Sequence, residues 1–239
     1  MTTLDYPSPN FDDRPADVPI DMLVLHYTGM PCAEAALARL CDATAEVSAH
    51  YVIDEDGRCH ALVAESDRAW HAGRSAWRGH ANVNARSIGI ELVNPGHEFG
   101  YRPFPARQMA SLISLAKGIL ERHPIPPRNV VGHSDVAPWR KEDPGELFDW
   151  RELAAHGIGL WPTDPPIGET AAICDWSALL GRLGYDLTDR DDSRPGSGKH
   201  AALVAFQRHY RPACFDGQAD SETINKLRSL LRMAGEKSP

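Results

Sequence analysis

Met22-Leu23-Val24-Leu25-His26-Tyr27 is a short, continuous apolar run that stops on a histidine, and Thr28-Gly29-Met30-Pro31 turns the chain at once. A run of that length bounded by turn formers reads as a buried strand that delivers His26 at its C-terminal end. Working outward, Cys32 to Cys41 carries Ala36, Leu37 and Leu40 at helical spacing. His50-Tyr51-Val52-Ile53-Asp54 reads as a second strand, Asp54-Glu55-Asp56-Gly57 as a hairpin turn and Arg58 to Val63 as the return strand. Ser87-Ile88-Gly89-Ile90-Glu91-Leu92-Val93 is a further apolar run. Gln108 to Glu121 has helical spacing (Met109, Leu112, Ile113, Leu115, Ile119, Leu120), and Asn129-Val130-Val131-Gly132 is a short strand. Strands and helices interleave, which makes this an α/β domain.

The chain of 239 residues is long enough for one large and one small domain. The pattern divides it into an N-terminal arm (1–19), a catalytic domain (20–160), a proline-rich linker (161–168) and a small all-α domain (169–235). That last domain has helical patterns at Trp176 to Leu183, His200 to Tyr210 and about Ser221 to Met233, with Asp220 at an N-cap. A net charge of −8 argues against nucleic acid as the main partner, because neutralising phosphates needs basic patches. No run approaches the length of a membrane span. Five scattered cysteines without a CxxC pair fit reduced thiols. With no secretory leader in Met1 to Asn10, the expected location is cytoplasmic, and periplasmic or outer-membrane if a leader precedes Met1.

The chemistry concentrates in Gly132-His133-Ser134-Asp135-Val136-Ala137-Pro138-Trp139-Arg140-Lys141-Glu142-Asp143-Pro144-Gly145, a segment so rich in turn formers that no helix is expected in it. His26 and His133 each end a strand, and Asp143 follows ten residues after His133. Two imidazoles and a carboxylate are a common set for a catalytic zinc that keeps one position open for water. With eleven histidines in the chain, the alternative is that these are unrelated surface groups. Glu91 is expensive to bury without a purpose and suits a general base, but alternation also permits a solvent-facing position opposite Ile90 and Leu92. Lys141 lies two residues before Asp143, within reach of an oxyanion, or is a solvated lysine. His50 and His71 are further candidates whose alternative is a hydrogen-bonded structural histidine. Arg140 is a candidate for stem-peptide carboxylates. No GxSxG elbow, HExxH helix or phosphate loop is present.

Taken together, Val24 to Thr28, Ser48 to Ile53, Ala69-Trp70-His71-Ala72-Gly73, Ser87 to Glu91 and Gly132 to Gly145 resemble, in order, the motifs of the zinc-dependent N-acetylmuramoyl-L-alanine amidases of type 2. The resemblance implies a mixed β-sheet flanked by helices and one Zn²⁺ held by His26, His133 and Asp143. It implies Glu91 assisting the water and Lys141 stabilising the tetrahedral intermediate; His50, His71 and Arg140 are expected beside them as substrate-binding residues. The bond implied is the amide joining N-acetylmuramic or 1,6-anhydro-N-acetylmuramic acid to L-alanine, so the expected partners are muropeptides or peptidoglycan fragments. Leu203 to Tyr210 with Phe215-Asp216-Gly217 and Ser221-Glu222-Thr223 resembles a three-helix peptidoglycan-binding domain. Members with such a tail are typically exported, so a cytoplasmic role in cell-wall recycling departs from that pattern. The competing readings are a non-catalytic peptidoglycan-recognition protein and a zinc hydrolase of another amide.

Overall fold

The computed structural model of the protein describes residues 3–163, 175–189 and 196–235. Two short strands, β1 (Thr3–Asp5) and β2 (Phe11–Asp13), precede the long strand β3 (Met22–Tyr27). Helix α1 (Ala33–Leu40) follows, then the hairpin of β4 (Tyr51–Ile53) and β5 (Cys59–Ala61). Strands β6 (Asp67–Ala69), β7 (Ala76–Trp77) and β8 (His80–Ala81) lead into β9 (Ser87–Leu92). Next come α2 (Gly96–Phe99), α3 (Ala106–Arg122), β10 (Val130–Gly132), α4 (His133–Val136) and α5 (Trp150–Ala155). Three helices, α6 (Trp176–Leu183), α7 (Ser197–Tyr210) and α8 (Ser221–Met233), lie in the C-terminal region.

Six strands form a mixed sheet in the order β1-β5-β4-β9-β3-β10, in which only the β4–β5 hairpin is antiparallel. The parallel centre has two different faces. Leu23, Leu25, Ile88, Ile90, Leu92 and Val130 point to one side, where they pack under α3 and α5. Helix α3 forms because Met109, Leu112, Ala116 and Ile119 recur at i, i+3 and i+4 and bury together, and it stops just before Pro124, which cannot continue it. The other side carries Met22, Val24 and Val131, and these join Leu180, Leu203, Phe206 and Leu227 of the C-terminal helices in a single hydrophobic cluster.

Register sets the level of the functional groups. His26 of β3 pairs with Glu91 of β9, and Leu25 pairs with Gly132, so His133 follows β10 at the level of His26. Three adjacent parallel strands therefore end together, at the edge where open α/β sheets bind their ligands.

The structure changes three expectations. The N-terminal arm supplies sheet: β1 pairs with β5 and β2 with β6. Its side chains are mostly exposed, so the backbone pairing leaves no hydrophobic alternation to read. The 132–145 segment does hold a turn of helix, α4, because the Asp135 carboxylate accepts the Gly132 N–H at 2.7 Å and closes a capping arrangement. Finally, the C-terminal helices share the sheet's hydrophobic cluster, because Met22, Val24 and Val131 need cover. Of the proline-rich stretch 161–168, residues 164–168 lie outside the described residues, as does the expected domain start at 169.

Candidate metal centre

His26, next to last in β3, is fully buried, and His133 opens α4 with its side chain turned to the same point. The loop after α4 folds back so that the Ser134 N–H donates to the Asp143 carbonyl at 2.9 Å, which brings the Asp143 side chain beside His133. Gly132 makes the close return possible, since a Cβ there would lie 2.7 Å from Pro144. The result is a buried triangle. His26 Nδ1, His133 Nδ1 and Asp143 Oδ2 are each 3.0 Å from the other two.

The chemistry of that triangle fits a cation. His133 Nε2 lies 3.1 Å from the Ala72 carbonyl oxygen, which can only accept, and 3.2 Å from Arg140 Nη2, which can only donate; with the ring proton directed to the nearer Ala72 oxygen, Nδ1 presents a lone pair. That lone pair points at a carboxylate oxygen. Two electron-pair donors held at hydrogen-bond distance without a proton between them repel unless a positive charge lies among them. Two neutral imidazoles and a carboxylate are a set that zinc takes, with a fourth position open. Burial pulls His26 down to about 4, His133 adding to the shift and Asp143 opposing it, which favours the neutral ligand form. Burial works against the Asp143 carboxylate, but His133 and His26 outweigh it and hold the group well below the usual carboxylate range.

Glu91 lies beside His26 on the same sheet face and lines the cleft. Its Oε2 is buried without a hydrogen-bond partner, and burial, reinforced by the charge of Asp143 and opposed by Lys141, raises its pKa well above the ordinary value. The expected alternation is present; the face it points to is the cleft floor. Lys141 lines the same cleft, its N–H donating to the Ala137 carbonyl at 3.1 Å. Arg140 lines the cleft too, but its guanidinium donates to the carbonyls of Arg74 (2.8 Å) and Ala72, tying the 72–74 segment to the loop that carries Asp143.

The two other histidines part ways. His71 borders the cleft, with Nδ1 3.0 Å from His26 Nε2. His50 does not reach the cleft: it is fully buried, accepts the Gly89 N–H on Nδ1 at 2.9 Å and lies against Arg14. The structure places His50, just before β4, in the packing between the sheet and Arg14 of the N-terminal arm.

Sequence reasoning missed Asp135. Fully buried, its carboxylate accepts Gly132 N–H, Tyr185 Oη–H at 2.6 Å and His209 Nδ1–H at 2.7 Å. Two of those donors come from the C-terminal region, so that region grips the turn carrying His133. The cleft measures about 1170 Å³, above the roughly 300–1,000 Å³ of small-ligand pockets, and Ala201, Val204 and Arg208 of α7 form part of its wall.

Among known proteins, the chain is 39% identical to the N-acetylmuramoyl-L-alanine amidase AmiD of Escherichia coli, over 91% of this chain and 84% of that one. It is 36% identical to the 1,6-anhydro-N-acetylmuramyl-L-alanine amidase AmpD of Haemophilus influenzae, over 60% of this chain and 85% of the relative. The solved complex of E. coli AmiD with anhydro-N-acetylmuramic acid-L-Ala-D-γ-Glu-L-Lys superimposes with a TM-score of 0.79 at 37% identity, covering 95% of this chain and 99% of that one. AmpDH3 of Pseudomonas aeruginosa in complex with anhydromuramic pentapeptide gives 0.78 at 36% identity, covering 98% and 99%. The Amidase_2 family, described as N-acetylmuramoyl-L-alanine amidase, matches residues 16–146, and with that match across more than half of its length the chain belongs to this family.

Proposed function

We propose that this amidase holds one Zn²⁺ on His26, His133 and Asp143 and hydrolyses the amide between 1,6-anhydro-N-acetylmuramic acid and L-alanine, in cell-wall recycling. The observation that carries the reading is the buried triangle of donors 3.0 Å apart at the floor of an extended cleft. The anhydromuramyl peptides bound in the AmiD and AmpDH3 complexes support the substrate class. Chain-wide similarity to both supports assigning the C-terminal helices to the same working unit, with α7 touching the ligand through the cleft wall. The cytoplasmic reading rests on the sequence, whose five cysteines are widely spread and form no CxxC pair.

Held by His26, His133 and Asp143, zinc would supply Lewis acidity and would lower the pKa of a water toward about 7. The protein's own groups do the remaining work. Glu91, with Oε2 unpartnered and its pKa raised, is poised to take a proton from the attacking water and pass it to the departing alanine nitrogen. Lys141 donates toward the oxygen of the scissile carbonyl as negative charge develops there. Asp143 and the two histidines hold their geometry through buried contacts, so little reorganisation is needed when substrate enters.

Purified protein incubated with anhydro- and reducing-end muropeptides, with and without a zinc chelator, tests the reading by mass analysis of the products. Chelator-sensitive release of free stem peptide, faster from the anhydro end, is the expected result. Release from neither substrate by zinc-loaded protein would refute it.

A further inference from the structure

His26 is a metal ligand through Nδ1 only if its ring proton sits on Nε2, and nothing in its own ring enforces that. The structure supplies a chain of contacts that does. Val83 presents a backbone carbonyl, which can only accept, to the Ser87 hydroxyl at 2.7 Å, so the Ser87 proton points to Val83. Ser87 Oγ is left as acceptor for the ring N–H of His71, with Nε2 3.0 Å away. With its proton on Nε2, His71 turns a lone pair on Nδ1 toward His26 Nε2, again at 3.0 Å. His26 must then donate from Nε2 and offer its Nδ1 lone pair to the triangle.

We propose that His71 and Ser87 are positioning residues that lock the tautomer of His26, and that the Trp70–Gly73 segment brackets both imidazoles of the site. Resting on the zinc reading above, the inference gives His71 a role behind the ligand in place of contact with substrate. The second half of the bracket is the Ala72 carbonyl, which lies 3.1 Å from His133 Nε2 and, from the next residue along, offers that ring the same acceptor that Ser87 offers His71, beside Arg140 Nη2 at 3.2 Å. Asn84 holds the bracket by accepting the N–H groups of Ala72 (2.7 Å) and His71 (3.3 Å) on its side-chain oxygen. The sheet is cut to fit. Ser87 and Gly89 share a face of β9, and a Cβ on Gly89 would lie 2.4 Å from the His71 ring. Outer contacts of this kind typically change metal affinity by ~10- to 100-fold.

The test compares wild type with Ser87→Ala, which removes one oxygen, and His71→Phe, which keeps a ring against Gly89. Zinc affinity is read by chelator competition, and the His26 tautomer by nitrogen chemical shifts in the metal-free proteins. The expected result is zinc binding weakened by ~10- to 100-fold in both variants, with His26 fixed as the Nε2–H form in wild type and mixed in the variants. Unchanged affinity and tautomer in variants of a zinc-binding wild type would overturn the lock while leaving the amidase reading in place. Weaker binding with an unchanged tautomer would overturn it as well, leaving a packing role. A wild type that binds no zinc would instead sink the metal reading beneath it.

Discussion

Tyr185→Phe isolates the grip of the C-terminal region on the turn that carries His133. Tyr185 is buried, donates to Asp135 Oδ1 at 2.6 Å and packs its ring edge-on against Trp77, with centroids 5.1 Å apart. Removing the hydroxyl keeps the ring and its contacts and deletes one hydrogen bond to a carboxylate. Such a bond contributes about 1.5–3 kcal/mol. Asp135 Oδ2 keeps Gly132 and His209, so the turn is loosened and not released. Urea unfolding followed by tryptophan fluorescence should show a lower midpoint at unchanged slope, which marks a change of stability without a change in the surface exposed. In a chain of this size that loss corresponds to a melting temperature lower by about 3–12 °C. Because α4 carries His133, the variant should also give up zinc to a chelator faster than wild type. A midpoint equivalent to within about 0.5 kcal/mol of wild type, the ordinary scatter of surface changes, would refute the claim that the C-terminal helices hold this turn.

The remaining predictions concern chemistry, charge and cover. Glu91→Gln should retain zinc while kcat falls by ~10²- to 10⁴-fold, measured on an anhydromuramyl peptide; near-normal turnover would remove Glu91 from proton transfer. His133→Ala and Asp143→Ala should each lose stoichiometric zinc, read by elemental analysis after dialysis. Glu65 is pushed up by burial but pulled further down, to about 2, by hydrogen bonds from Arg122, His123 and Tyr51. Its contribution to stability is present above its ordinary value of 4.5 and is lost as pH falls toward about 2, so Glu65→Gln should flatten the acid limb of a pH–stability curve across that window. A chain ending at Thr163 would expose Met22, Val24, Val131 and Val136, and should be recovered as insoluble or molten protein, judged by near-ultraviolet circular dichroism.

The site was legible in the sequence wherever chemistry and local pattern coincide. His26 and His133 stand at the ends of apolar runs, Asp143 follows in the same loop, and Glu91 interrupts an otherwise apolar strand. What local pattern does not carry is strand order. Nothing in the sequence places β9 between β4 and β3, and it is that order which sets Glu91 beside His26. Strands β1 and β2 escaped for a related reason, since their pairing is made by backbone and their side chains stay largely outside. Asp135 was in plain view within the richest motif, yet an aspartate in a turn reads as solvated. Its three buried donors come from residues 132, 185 and 209, and only the folded chain brings them together. Ser87 and Gly89 likewise gain their meaning only in the fold, where His71 lies across them.

The same sheet face joins the His26–His133–Asp143 triangle to the C-terminal helices. One face of the central strands is uniformly large and apolar and needs only α3 and α5 to cover it. The opposite face changes character along its length. At the start of β3 it shows Met22 and Val24, which require apolar cover, and at the end it shows His26, which requires a cleft. A single covering element must therefore bury one end of this face and leave the other open. The C-terminal region does both, since Leu203 and Phe206 enter the hydrophobic cluster while Val204 and Arg208 of the same helix line the cleft. His209 on α7 and Tyr185, which follows α6, reach past the cluster to Asp135. Stability and the geometry of the His26–His133–Asp143 triangle consequently draw on the same helices, and a substitution that shifts α7 should change both together. Independent loss of one without the other would require two separate contacts, where the structure has α7 serving both.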